Sequence, residues 1–392
     1  MTETYTRMKS IGSVMRENGG VGPGFDFLRL WLALSVVLFH SVQLTRGKEW
    51  VIEHSRGPID LYVSFIIPGF FALSGFLVAG SMLRLAKVQI FLLFRALRIF
   101  PALLVEITLS ALILGPIVTS LPLGQYFRAP EFHRYFTNVL GIIRFQLPGV
   151  FLDNPVPNIV NGQLWTIPGE LQCYIALAIL MVVGLSTRRW LMVAVFLAAA
   201  TGECLLGLLP GRHYTAGTLQ SLEALVLSFL AGNALYLIRD VVPVRLGLLL
   251  LAILGCVVAY LVPILALLLG TMSVSYVIAY LGLCRIPRIP VLQRGDYSYG
   301  IYLYSFPLQQ TAVWAFPAVR EWYWNLLLGG LPAIGFAMLS WHFLEKPALG
   351  LRKFFVSKRR TDIIAARRAL DPDAARTEPG SALEGVVGEP SP

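Results

Sequence analysis

The chain has 392 residues, of which 56% are hydrophobic and only 14% are charged, and its formal net charge is +10. Soluble domains carry about 25% charged residues, so this composition excludes an ordinary water-soluble protein and predicts an all-α integral membrane protein. The basic residues lie in short segments between apolar runs. That pattern is typical of cytoplasmic loops and does not indicate a nucleic-acid partner.

Ten apolar segments follow a polar stretch, residues 1–24, which lacks the apolar core of a cleavable signal peptide. A helix needs about 20 such residues to cross the hydrocarbon, so about ten transmembrane helices are predicted. With residues 1–24 in the cytoplasm, every loop on that side is basic, which places both termini there. The segments span residues 27–46, 59–83, 99–121, 163–185, 190–209, 219–238, 244–262, 264–284, 297–319 and 325–345.

Two stretches are predicted not to cross the membrane. Residues 122–162 form a long extracytoplasmic loop, which either lies flat on the membrane or folds back over a cavity. Residues 351–392 are rich in Ala, Arg, Asp, Glu, Pro and Gly, and predict a cytoplasmic, largely disordered tail. The transmembrane domain is therefore residues 25–350.

The first apolar segment contains Arg29 and His40. Eleven residues make almost three helical turns, so the two side chains share one face and lie about 16 Å apart along the axis. Ionisable groups at such depth usually face a cavity or a partner. The alternatives are that Arg29 is a topological charge and that His40 lies at the membrane interface.

Two further segments contain polar residues. Ser74 and Gly75 lie within the second segment, where small residues usually permit close helix packing and also let a ligand chain approach the backbone. Arg95 and Arg98 share a face at the predicted cytoplasmic end of the third helix. Arginine binds phosphate bidentately, although positive-inside topology alone accounts for the same pair.

The fourth helix begins after Asn161 and contains Trp165, Glu170 and Tyr174. Glu170 is predicted about 10 Å below the outer surface, close to the depth of His40. A histidine and a carboxylate at one depth predict a general base and the group that orients it. The two aromatic residues either contact a substrate or belong to an aromatic belt.

The last two helices carry further candidates. Tyr302 and its neighbouring tyrosines in the ninth helix line a cavity or form an interfacial belt. Glu345 lies where the tenth helix leaves the membrane, which suits a solvated cap or an ion pair. The four cysteines form no CxxC pair and have no histidine at metal-ligand spacing, so no metal is expected.

In this order the motifs resemble those of the acyltransferase-3 family of bacterial membrane acyltransferases. They are an Arg and a His separated by ten residues (Arg29, His40), FFxxSGFL (70–77), RxxRIxP (95–101), LWTxxxExxxY (164–174), SYxIYLxxxP (298–307) and ExP (345–347). Many members have a histidine where this chain has Ser305, so no second catalytic histidine is assigned. Larger members add a soluble esterase-like domain, which is not expected here.

The resemblance implies transfer of an acyl group, usually acetyl, from cytoplasmic acyl-CoA to a hydroxyl of an extracytoplasmic or lipid-linked glycan, in the bacterial inner membrane. Acetyl-CoA would be a substrate and not a permanent cofactor. The donor's phosphates would lie near Arg29, Arg95 and Arg98, and its pantetheine arm would run along the first helix and bring the thioester up to His40. His40 would act as general base or transient acyl carrier, oriented by Glu170. The expected contacts with the acceptor are Asn161, Trp165, Tyr174 and Tyr302, and the expected donor contacts are Arg29, Ser74, Arg95 and Arg98.

Other readings stay open from the sequence. A transporter could use Glu106, Glu170 and His40 as a proton relay, although repeated halves and broken helices are not evident. A non-catalytic scaffold in a polysaccharide assembly complex is a third reading. The sequence leaves the acceptor glycan, the choice of acetyl or succinyl and the oligomeric state open, a homodimer included.

Overall fold

A computed structural model of the protein describes residues 9–85, 87–210, 214–286, 295–318 and 320–355. Within these ranges the chain is helical and forms no β-strand, and one isolated bridge joins Ser10 to Pro243. The fold class predicted from composition is thereby confirmed. Residues 1–8 of the predicted N-terminal segment and the predicted tail beyond residue 355 lie outside the described residues.

The described residues of the first half of the chain form nine α-helices. They are α1 (Ile11–Glu17), α2 (Phe25–Arg46), α3 (Lys48–His54), α4 (Pro58–Leu85), α5 (Val88–Leu109), α6 (Gly115–Val118), α7 (Leu123–Arg128), α8 (Pro130–Tyr135) and α9 (Ile167–Val182). A π-helical turn, Ser110–Leu114, joins α5 to α6, so that these elements form one continuous rod. A short 3-10 turn, Gly162–Thr166, leads into α9.

The second half continues the bundle. Its helices are α10 (Arg189–Leu206), α11 (Leu222–Leu237), α12 (Leu246–Leu261), α13 (Thr271–Leu283), α14 (Ser298–Ala315), α15 (Trp322–Asn325), α16 (Leu331–Ser340) and α17 (Lys346–Gly350). Further π-helical turns precede α13, α16 and α17, at Ala266–Gly270, Leu326–Gly330 and Trp341–Glu345.

Among the described residues, seven helical stretches are long and apolar enough to cross a membrane. They start at Phe25, Pro58, Val88, Gly162, Arg189, Pro263 and Trp322. Helices α11 and α12 are apolar but shorter, and α14 has 18 residues. Each of the ten predicted segments therefore contains helix, while the count of ten spans and the cytoplasmic location of both termini stay predictions.

The predicted start of the third segment was wrong by eleven residues. Helix α5 begins at Val88 and not at residue 99, so Arg95 and Arg98 lie about 10 and 15 Å inside a continuous helix. Two arginines lower the local hydropathy and make the segment look shorter. The helix continues through them because their side chains face the interior of the protein, where Arg98 is mostly buried.

Close contact between α4 and α11 forms the centre of the bundle. A Cβ atom on Gly75 would collide with the backbone of Phe229, and one on Gly232 would collide with the carbonyl of Ala72. Two helix backbones can approach this closely only where the residue at the contact is glycine, which has no side chain. The predicted packing role of the Ser74–Gly75 pair is thus confirmed, and Ser74 is left facing the space between helices.

The long loop predicted at residues 122–162 folds back into the helix bundle. Tyr126, Tyr135, Val150 and Phe151 are at most 1% exposed and pack in the same core as α5 and α9. The Tyr126 hydroxyl donates to the carbonyl of Ala111 at 2.7 Å, in the π-helical turn after α5. This contact fixes the loop against the end of the third span.

Candidate active site

A cavity of about 480 Å³ lies between α2, α4, α5, α9 and α14. One end is lined by Met15 and Val21, before the first span, and by Leu349, in α17 near the end of the last helical stretch, Trp322–Phe355. This is the end that the sequence predicts to be cytoplasmic. The other end is lined by Thr166 and Tyr302, at the first turn of α9 and within α14.

The cavity carries an excess of positive charge. Among the described residues, five arginines line it, against two carboxylates, Glu170 and Asp296. Arginine forks match phosphate oxygens, and a low-dielectric wall strengthens each such contact. The cavity therefore suits a polyanion. Its arginines are Arg29, Arg84, Arg95, Arg98 and Arg352.

Asp296 connects two of these arginines. Its Oδ2 accepts from Arg29 Nη1 and from Arg98 Nη2, both at 2.8 Å, and its Oδ1 accepts from the Ser298 hydroxyl at 2.6 Å. Burial opposes ionisation of Asp296, but Arg98 and Arg29 outweigh it, so the pKa of Asp296 lies below its usual range. No local sequence pattern indicates Asp296, because its partners lie far away along the chain.

Arg98 has a second carboxylate partner. Its Nη1 donates to Glu345 Oε2 at 3.1 Å, and the Ser340 hydroxyl donates to the other oxygen of Glu345. The Glu345 side chain is only 2% exposed. Of the two expectations for Glu345, the ion pair is therefore correct and the solvated cap is wrong. Glu345 ends the π-helical turn that begins at Trp341, just before α17.

Glu170 lies on the cavity wall in the first turn of α9. Its Oε1 accepts a hydrogen bond from the Tyr174 hydroxyl, one turn further along, at 2.6 Å. Arg95 and Arg98 lie close enough to attract its charge, and Ser74 lies beside the Tyr174 hydroxyl. The structure thus brings together Glu170, Tyr174 and the three predicted donor contacts Ser74, Arg95 and Arg98.

His40 occupies a different place. It is 9% exposed, its ring meets the edge of Phe306 in α14 with centroids 5.0 Å apart, and its Nδ1 is buried with no hydrogen-bond partner. It does not line the cavity. Arg29 and His40 do share a face of α2, as predicted. Arg29 contacts Asp296, just before α14, and His40 contacts Phe306 within α14, so both side chains face the same neighbouring helix.

The predicted contact between His40 and Glu170 is not present. Over the described parts of the chain, no hydrogen bond joins the two side chains: Glu170 is held by Tyr174 in its own helix, whereas His40 packs on Phe306. Similar depth in a membrane does not fix the direction in which a helix presents its side chain, which is why the pairing was wrong.

The remaining acceptor candidates are divided between two places. The Tyr302 hydroxyl lies at the inner end of the cavity, where it donates to the carbonyl of Gln163 at 2.9 Å and lies 2.7 Å from the Thr166 hydroxyl. Tyr174 is on the cavity wall. Trp165 is partly buried against the core, and Asn161 is fully buried; neither lines the cavity.

Asn161 lies instead beside Glu106. Glu106 is 1% exposed, and its Oε1 accepts from the Ser110 hydroxyl at 2.7 Å. Asn161 and Tyr135 approach the same carboxyl group. The Glu106 Oε2, the Tyr135 hydroxyl and both amide atoms of Asn161 have no hydrogen-bond partner of good geometry. This closed group of four residues, the Glu106 cluster, is separate from the cavity.

Residues 23–344 match the family model described as Acyltransferase domain, which spans most of the chain. The chain belongs to the acyltransferase-3 family. Five of the six motifs fall inside this match, and the sixth begins one residue beyond it. Together with its apolar helices, family membership makes the protein a multi-pass membrane acyltransferase.

Two relatives support the same assignment. The chain is 28% identical to Nodulation protein 10 of Rhizobium leguminosarum bv. viciae, over 89% of this chain and 99% of the relative. It is 25% identical to an O-acetyl transferase of Shigella phage Sf6, over 82% of this chain and 94% of the relative. No solved structure matches this acyltransferase-3 chain.

Proposed function

We propose that the protein transfers an acetyl group from cytoplasmic acetyl-CoA to a hydroxyl of an extracytoplasmic or lipid-linked glycan, and that it does so in the bacterial inner membrane. The observation that carries this proposal is the arginine-lined cavity, which extends from the terminal segments inward to Tyr302. Its volume, about 480 Å³, falls within the range of small-molecule pockets. The similarity to an O-acetyl transferase favours acetyl as the group transferred.

The charged and the apolar parts of the cavity wall match the charged and the uncharged parts of coenzyme A. Phosphates are the strongly charged part of the donor, and the arginines are gathered on the wall of this cavity. The pantetheine arm is uncharged and flexible, and the apolar wall near Phe71, Leu73 and Ile167 fits it. The thioester would then lie near Glu170 and Tyr302. In this arrangement Glu170 and Tyr174 hold the donor arm and do not orient the imidazole.

His40 lies about one helical turn beyond the inner end of the cavity. Tyr302 lines the inner end, and Phe306, which contacts His40, is one turn further along α14. One turn corresponds to about 5.4 Å along the helix axis. A thioester that reaches past Tyr302 would therefore come close to the imidazole, while Arg29, three turns back on the same helix, stays at the phosphate end.

The proposed chemistry is an acyl transfer with His40 as the general base. A glycan hydroxyl gives its proton to a ring nitrogen of His40 as its oxygen attacks the thioester carbonyl. The C–S bond then breaks, and His40 returns this proton to the sulfur, so that an acetyl ester and free coenzyme A are formed. The buried Nδ1, which has no partner, is available either for this role or for a transient acyl link. Tyr302, at the inner end of the cavity, is the proposed acceptor contact, whereas Trp165 and Asn161 do not line the cavity and are not proposed as contacts.

Mass spectrometry of surface glycans tests this function. A deletion strain should lose acetylated glycan and regain it with the wild-type chain. His40→Ala should lower the rate by about 10² to 10⁴, since this is the usual contribution of a general base. His54→Ala is the matched control, because His54 is an exposed histidine at the end of α3. Full acetylation by His40→Ala would contradict the role of His40.

The transporter alternative has less support. A proton relay needs its ionisable groups to be linked, yet His40, Glu170 and the Glu106 cluster have separate partners within the described residues. Thermal unfolding with and without acetyl-CoA separates the two functions, because a ligand that binds the native state raises its stability. Stabilisation supports the enzyme; its absence, together with solute flux into liposomes, would support the transporter.

A further inference from the structure

The five arginines of the cavity are not equally available to a ligand. Arg29 and Arg98 share Asp296, and Arg98 also contacts Glu345. Each of these contacts is 3.1 Å or shorter, and the carboxylates are mostly buried. A carboxylate that already occupies a guanidinium fork competes with an incoming phosphate and repels it. Arg29 and Arg98 are therefore poorly placed to make the main phosphate contacts.

Within the described residues, Arg84, Arg95 and Arg352 form no salt bridge, and Arg84 is the one of these three that is exposed. The Arg95 guanidinium lies over the rings of Phe91 and Tyr174, at 6.0 and 5.9 Å from their centroids. Arg352 lies 5.0 Å over the ring of Phe94 and donates once, to the Phe94 carbonyl at 2.9 Å. In both arginines the Nε is buried and unpartnered.

These two charges are also close to one another. Arg352 donates to the carbonyl of Phe94, the residue directly before Arg95, and both guanidinium groups line the same cavity, so the two like charges repel each other. Guanidinium groups remain protonated in proteins, so this repulsion persists in the empty cavity and a bound anion would relieve it. Aromatic faces support both guanidinium planes and leave N–H edges free for oxygen acceptors.

We infer that Arg352, together with Arg95, binds the phosphate groups of the acyl donor, while Asp296 and Glu345 hold Arg29 and Arg98 as fixed parts of the wall. The inference rests on the proposed function and adds a residue that lies beyond the six family motifs. The ligand chemistry is a phosphate monoester or diphosphate. Arg352 lies in the same helical stretch as Glu345, Trp322–Phe355, and the Arg98–Glu345 pair and the bond from Arg352 to the Phe94 carbonyl both join this stretch to α5 beside the cavity.

Calorimetry on the purified full-length protein in detergent tests this inference, with coenzyme A and pantetheine as probes. Arg352→Ala should weaken coenzyme A binding by about tenfold to a hundredfold, the usual cost of a lost charge-assisted bond. Arg352→Lys should lose less, because it keeps the charge without the fork. Lys353→Ala is the matched control, since Lys353 is exposed and does not line the cavity. Pantetheine, which has no phosphate, should bind all variants equally.

The outcomes separate the two proposals. If the wild-type protein does not bind coenzyme A, the proposed function fails and the inference fails with it. If the wild-type protein binds and Arg352→Ala binds as tightly, the inference alone is overturned. Equal losses for coenzyme A and pantetheine would also overturn it, because they would indicate a general change of the cavity. Arg352→Gln replaces Arg352→Ala if thermal unfolding shows that the alanine variant is poorly folded.

Discussion

The arginine-lined cavity and the Glu106 cluster differ in how their polar groups are paired. At the cavity wall, Asp296 and the neighbouring buried Glu345 are paired with Arg98, and Arg95 and Arg352, which form no salt bridge within the described residues, line open space. In the Glu106 cluster, several buried polar atoms lack a hydrogen-bond partner of good geometry, and none of the residues of this cluster lines the cavity. Binding sites are usually formed before the ligand arrives, so the comparison indicates a prebuilt donor site. The surroundings of His40 form no comparable open site in the described structure.

The largest effect is expected from Arg98→Ala. This change leaves Asp296 with one arginine and leaves Glu345 buried without a cation. Removing one partner of a buried ion pair usually costs about 3–5 kcal/mol in the free energy of unfolding. Thermal unfolding in detergent measures it, with Arg188→Ala as control, because Arg188 is exposed and does not line the cavity. Equal stability of the two variants would show that the buried pairs do not hold the cavity together.

Asp296→Asn should lower the stability by an intermediate amount and should strengthen coenzyme A binding. The neutral side chain keeps hydrogen bonds to the arginines but loses the charge attraction, so stability should fall by about 1–3 kcal/mol at neutral pH. The cavity gains one net positive charge, and coenzyme A should bind several times more tightly by calorimetry. Weaker binding would mean that Asp296 serves the donor by orienting Arg29 and Arg98.

The same variant has a predicted pH dependence. Because the pKa of Asp296 is lower in the folded protein than in the unfolded chain, its contribution is present above the unfolded pKa of about 3.9 and is lost as the pH falls below it. The stability gap between wild type and Asp296→Asn should therefore narrow below about pH 4. A gap that stays constant from neutral pH to pH 3 would contradict the charge-based explanation.

Tyr174→Phe should have a smaller effect. It removes the only hydrogen bond that the described residues provide to Glu170, at 2.6 Å, and keeps the ring beneath Arg95. The loss should be about 1 kcal/mol of stability, and pantetheine affinity should fall by a few-fold. Phe91→Leu is the contrasting variant, because it removes a ring under Arg95 and leaves Glu170 bonded. Unchanged pantetheine binding in Tyr174→Phe would exclude a role for Glu170 and Tyr174 in holding the donor arm.

Glu106→Gln should have the smallest effect. The amide has nearly the same shape, still accepts from Ser110 and does not line the cavity. Stability should change by less than about 1 kcal/mol, and coenzyme A affinity should stay the same. Acetylation measured by mass spectrometry should also persist, whereas a proton relay would lose function with this carboxyl. Complete loss of activity in a folded Glu106→Gln protein would make the Glu106 cluster part of the mechanism.

The sequence by itself determined the fold class and much of the cavity. Apolar runs predict helices because uncharged segments of this length are stable in hydrocarbon, and each predicted run contains helix. Helical spacing correctly placed Arg29 and His40 on one face. Motif order identified the family, and four of the predicted donor contacts line one cavity: Arg29, Ser74, Arg95 and Arg98.

Only the tertiary structure decided which polar groups meet. Asp296 pairs with residues 198 and 267 positions away, and Arg352 reaches the cavity from beyond the last motif, so no local pattern indicates either contact. Hydropathy reports how well a segment tolerates lipid, and depth follows from helical rise, but neither fixes the direction in which a helix turns its side chains. That direction is set by packing between helices, which is why Glu170 faces Tyr174 and the arginines while His40 faces Phe306.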